Sequence, residues 1–116
     1  MITTILVKNR IELQHHWPEA PEEVSYLQWP HRHQFYIESE ITVGHDDREL
    51  EFIMVQHAID KFLQNTQFDL RVSCEQLARM VGQFIRSHYG MREISVTVRE
   101  DDEHGARVYL PKYEEE

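Results

Sequence analysis

Hydrophobic and polar positions alternate over residues 33–43. Phe35, Ile37, Ser39, Ile41 and Val43 fall on one face and Tyr36, Glu38, Glu40 and Thr42 on the other. This two-residue period predicts a half-buried β-strand. Residues 2–14 carry Ile2, Ile5, Val7 and Ile11 among Thr, Lys and Glu, and predict an earlier strand. Between them, residues 15–23 hold two prolines and a cluster of carboxylates and read as a loop. Gly44-His45-Asp46-Asp47 ends the second strand. From Arg48 to Gln64 the period becomes helical: Phe52, Val55, Ile59, Phe62 and Leu63 recur on one side, with Glu51, Gln56, Asp60 and Lys61 facing away. After a short link, Ser73 and Gln76 have the spacing of a capping box. Leu77, Val81, Phe84, Ile85 and His88 continue a second helix, which Gly90 ends. Ile94, Val96 and Val98 alternate in a third strand closing at Glu100. Residues 101–105 form a turn, and 106–110 a fourth strand that Pro111 stops.

The predicted order is β-β-α-α-β-β, with no repeat and no linker dividing the chain, so residues 1–116 form one domain. Two hairpins with both helices laid on one face make an antiparallel α+β layer. Such a sheet leaves its other face and both edges open, which favours self-association.

Composition narrows the partners. The 116 residues are 41% hydrophobic and 28% charged, ordinary for a soluble domain with a modest core. The net charge of −9 argues against a nucleic-acid partner, because no basic stripe is available for phosphates. The acidic tail Glu114-Glu115-Glu116 accounts for part of it, and residues 112–116 are expected to fray. A lone cysteine, Cys74, excludes an internal disulfide framework and suits a reducing compartment. No stretch is long and apolar enough to span a membrane, and Met1–Val7 lacks the basic-then-apolar pattern of a signal peptide. A cytoplasmic protein is the expectation.

Among eight histidines, His31 and His33 stand two apart at the entrance of the second strand. In a strand they project to the same face. A third imidazole from the neighbouring strand, His15 or His16, would complete a three-histidine set of the kind that binds zinc with one position open. Without it, His31 and His33 are polar residues near a strand start.

These residues, in this order, resemble the 6-pyruvoyltetrahydropterin and 6-carboxytetrahydropterin synthase family. The likeness rests on the β-β-α-α-β-β order and a His ending the first strand. It also rests on His31-Arg32-His33 opening the second, Val72-Ser73-Cys74-Glu75-Gln76-Leu77-Ala78 at the second helix, and Val98-Arg99-Glu100-Asp101 closing the third strand. It spans about residues 5–110. It implies the tunnelling fold (T-fold), assembled into a barrel, a hexamer by analogy, with sites between subunits. It implies zinc on His16, His31 and His33, a pterin- or purine-like ligand held by Glu100 with Ser73 and Glu75, and lyase chemistry in a queuosine- or folate-type pathway. Two departures bear on that chemistry. Leu27 stands at the family's catalytic cysteine position, and the interhelical segment has Asp69 but no histidine for the family's Asp-His pair. Arg32 also replaces the family's central glycine. No residue is therefore assigned to proton transfer. The expectation is a divergent family member with doubtful lyase activity; a non-enzymatic nucleotide- or pterin-binding oligomer is the alternative.

Other candidates have plainer readings. Cys74 at a helix start can be a reactive thiolate but reads better as a small packed residue. His57 and His88 read as surface histidines. Glu38 and Glu40 read as a solvated or intersubunit face rather than a catalytic pair. Trp17, Tyr26 and Trp29 either stack on a flat ligand or anchor the long loop.

Overall fold

A computed structural model describes residues 1–113. The expected acidic tail at 114–116 lies outside the described residues; Lys112 and Tyr113 are exposed. The chain runs β1 (Thr3–His15), a 3-10 segment (Glu22–Gln28), β2 (His31–Val43), α1 (Phe52–Asn65), α2 (Cys74–Tyr89), β3 (Ile94–Glu100) and β4 (His104–Leu110). The four strands form one antiparallel sheet in sequence order, β1-β2-β3-β4, so β1 and β4 are its edges. The architecture is α+β, and β-β-α-α-β-β in its main elements. No helix among the described residues is long and apolar enough to cross a membrane.

Alternation and register together fix one inner face. Val7, Phe35, Ile37, Ile41, Ile94, Val96, Val98 and Leu110 are buried there. Val55, Ile59 and Leu63 of α1 and Leu77, Val81 and Ile85 of α2 pack onto them. Each such side chain contributes about 1.5–3 kcal/mol by leaving water. Gly82 lets α2 approach β4 closely, since a Cβ there would lie 2.7 Å from Leu110 Cδ1.

The helices end where local chemistry dictates. Ser73 Oγ accepts the Gln76 N–H and the Gln76 side chain returns to the Ser73 N–H, the capping box expected from the sequence. Gly90 terminates α2 at φ 90°, a backbone region that favours glycine. Helix α1 starts one turn later than the periodicity suggested. Glu51 caps it by accepting from Ile53 and Met54 N–H, while Glu49 is drawn into the preceding loop by Gly44 N–H and Arg92. Phe52 is consequently exposed. Gln56 and Asp60, expected to face away, instead turn toward β1. Asn9, buried on the inner face, donates to Gln56 O and Asp60 Oδ1, and Gln56 donates to Lys8 O. The 3-10 segment was not foreseen; it buries none of its residues and so carries no hydrophobic period to detect.

Candidate metal centre

The inner face changes character at the end of the sheet where β1 stops and β2 begins. Strand β1 buries its odd-numbered positions, and its last residue, His15, pairs directly with His31. His33, two residues on, takes the same side. The ring centroids lie 4.5 Å apart for His15–His31, 4.9 Å for His31–His33 and 5.4 Å for His15–His33. One ring nitrogen from each lies within 4.8 Å of the others. Phe35, fully buried, closes the floor with its ring edge-on to His15.

The hydrogen bonds fix which nitrogens face inward. His15 Nδ1–H donates to Val72 O at 2.8 Å, and His31 Nδ1–H to Trp29 O at 2.8 Å. His33 Nδ1–H donates to Asp101 Oδ2 at 2.6 Å. Every acceptor is a carbonyl or a carboxylate, so each Nδ1 carries a proton, and in the neutral ring Nε2 is then the nitrogen with the lone pair. An outer partner on the far nitrogen of each ring is the usual support of a metal-ligating histidine. His15 Nε2 is buried and has no hydrogen-bond partner. It faces Glu100 Oε1 at 3.3 Å, which in the neutral ring sets an acceptor opposite an acceptor. A metal ion bound at Nε2, or a proton there, resolves that opposition. Tetrahedral zinc sets imidazole nitrogens about 3.3–3.5 Å apart, which small side-chain movements reach from this arrangement. The three histidines are close enough to hold a metal ion.

Glu100 ends β3 on the same face. Its Oε2 lies 3.7 Å from His33 Nε2 and 3.6 Å from His104 Nε2. Beside it opens a cleft of about 650 Å³. His15, His31, Glu100, Ser73 and Glu75 all line this cleft, and so does Leu27. Ser73 Oγ is already engaged as the α2 cap, whereas Glu75 is exposed at the helix start. Burial, followed by the charges of Glu100 and Glu75, pushes the Cys74 thiol up to about 12. Cys74 is thus a buried protonated thiol at neutral pH, matching the packed-residue reading.

The third imidazole in the cluster is His15. His16 lies beyond the end of β1 and lines the cleft, its backbone N–H donating to Leu70 O at 2.7 Å. The signal for this choice was strand parity: His15 is in phase with Val7, Ile11 and Leu13, and His16 is not. Trp17 lines the cleft, while Tyr26 and Trp29 are exposed on the same connection. His57 and His88 are exposed on the helices. Glu38 and Glu40 lie on the outer sheet face, where Lys8 Nζ approaches Glu38 at 3.8 Å. Asp69 accepts the Arg71 N–H in the interhelical turn.

The sequence reading missed Asp101. Its Oδ1 also accepts the Gln34 N–H at 3.0 Å. The His33 ring N–H, then the Gln34 amide, hold its carboxyl below the usual aspartate range. Comparison with protein-family models finds no match, and neither does comparison with curated proteins.

Proposed function

We propose that this chain is a divergent relative of the 6-pyruvoyl- and 6-carboxytetrahydropterin synthases, on the T-fold. It binds zinc through His15, His31 and His33 and a pterin- or purine-like heterocycle in the adjoining cleft. The observation that carries this reading is the convergence of three imidazoles, each with Nδ1 occupied from outside and one with a buried, unpartnered Nε2. The donor set suits zinc, since neutral imidazole is among its preferred ligands. Bound zinc would supply Lewis-acid polarisation of a ligand oxygen.

Glu100 holds the ring: a carboxylate accepts a pair of N–H bonds from a 2-amino-pyrimidinone edge. Trp17 offers a stacking surface. Glu19, paired with Arg71, and Glu75 also line the cleft, and Glu75, unpaired among the described residues, favours a donor-rich ligand. The open edges β1 and β4 favour a closed oligomer, a hexamer by family analogy.

The standard lyase reaction needs a proton-transfer group at the substrate side chain. Leu27 supplies none, and the Cys74 thiol stays protonated and buried. A binding or sequestering oligomer on the same fold is therefore the second reading. Metal analysis after zinc-supplemented expression tests the site: about one zinc per chain is expected, and none after His31→Ala with His33→Ala. A chain purified with almost no zinc would sink it. A thermal-shift panel of pterins and guanine nucleotides tests the cleft; an identical shift in Glu100→Ala would remove Glu100 as the anchor. Turnover of dihydroneopterin triphosphate would decide for an enzyme over a binder.

A further inference from the structure

We propose that Asp101 is a positioning residue for the metal centre, fixing the tautomer and ring orientation of His33 so that Nε2 is the ligating atom. This rests on reading the three histidines as a metal site. The three ligands are oriented differently. His15 and His31 donate to backbone carbonyls, Val72 O and Trp29 O, so their orientation is set by the fold. His33 is the one of the three held by a side chain, and its bond to Asp101 Oδ2, at 2.6 Å against 2.8 Å for the others, has the length of a charge-assisted contact.

Asp101 is itself pinned. Its N–H donates to Gln34 O at 2.7 Å and its Oδ1 accepts the Gln34 N–H at 3.0 Å, so it grips β2 immediately after His33. The backbone carrying it is strained. Asp101 and Asp102 have φ of 51° and 59°, two successive left-handed residues that are not glycine. For the turn alone, glycine at 101 would serve better. An aspartate there, aimed at the His33 imidazole, is the carboxylate–histidine pair that supports a ligating ring in carboxylate–histidine–metal sites. Without it the half-buried His33 ring is free to turn over about Cβ–Cγ, which puts Cε1 where Nε2 stood, and to move its proton to Nε2.

Three variants separate positioning from turn structure, with zinc affinity read by chelator competition and the cobalt-substituted absorption spectrum as a second readout. Asp101→Gly removes the carboxylate while relieving the backbone. It should leave the metal-free protein folded, the relieved backbone offsetting part of the two lost hydrogen bonds, yet weaken zinc binding about 10–100-fold and alter the cobalt spectrum. Asp101→Asn keeps one acceptor oxygen and tolerates the same backbone, and should fall between the two. Asp102→Gly relieves the neighbouring residue without touching His33 and should leave affinity and spectrum unchanged. Unchanged affinity in both Asp101 variants, or an equal loss in Asp102→Gly, would overturn the positioning role alone. A wild-type chain that binds no zinc would overturn the metal reading and this role with it.

Discussion

Strand β2 has a polar cluster at each end, and the two differ in whether their hydrogen bonds balance. At its C-terminal end, Arg92 spans Glu49, Thr42 O and Tyr89 O. All three guanidinium nitrogens donate, two of them to the two oxygens of Glu49. Glu49 also accepts the Gly44 N–H. Donors meet acceptors and the network closes on itself. At the N-terminal end, the outer nitrogens of His15, His31 and His33 are equally well supplied, but their inner nitrogens converge on one another, and those of His15 and His33 on Glu100. With neutral rings, acceptors there face acceptors. A polar group without a partner in a buried place costs free energy, so the first cluster explains itself as structure, while the second leaves His15 Nε2 open to a metal ion or a proton.

The largest effect should come from supplying that partner. At free zinc about a thousand times its dissociation constant, the wild-type chain should gain about 4 kcal/mol of stability. His31→Ala should gain none, read as a zinc-dependent shift in chemical denaturation. If the variant is stabilised as much as the wild type, the two ends of β2 are not different in kind. A smaller effect is expected from opening the closed network. Arg92→Ala leaves Glu49 half-buried beside unpaired carbonyls and should cost about 2 kcal/mol, short of a fully buried pair. It should not change zinc affinity; a change would show that the two ends are coupled. The smallest effect is a pH dependence. Arg92 and the Gly44 amide hold the Glu49 carboxyl below its ordinary 4.5. Its contribution is therefore fully present above that value and lost as pH falls below it through the lowered folded-state value. Glu49→Gln should lack this part of the acid dependence, so its stability should approach the wild type's below about pH 4. A constant difference across that window would assign the pair's worth to neutral hydrogen bonding.

Most of the layer was legible because two-residue and helical periods dominate it. Phe35, Ile37, Ser39 and Ile41 lie buried on the face that their alternation assigns. The cap at Ser73 and the stop at Gly90 are local chemistry and were readable as such. What escaped depends on partners distant in sequence. Gln56 and Asp60 look like the polar side of a helix until Asn9 is placed opposite them. Asp101 looks like turn filler until β2 brings His33 alongside, 68 residues away. The choice between His15 and His16 needed only the phase of β1, carried one residue further than the strand was first drawn. The carboxylate at Glu100 was readable as a strand end; its approach to three imidazoles was not, since it depends on the β2–β3 register.

The β1–β2 register has a consequence of its own. His15 opposite His31 is the last rung of the β1–β2 ladder, and ladders open from their ends. Just past it, the His16 amide reaches Leu70 and the Trp17 amide reaches Leu27, fastening the strand end to the interhelical link and to the long connection between the strands. An ion shared by the two terminal imidazoles would bolt the rung most prone to fraying. Occupancy would then be written into the exchange rates of the two neighbouring amides, giving the cleft wall a rigidity that depends on what the histidines hold.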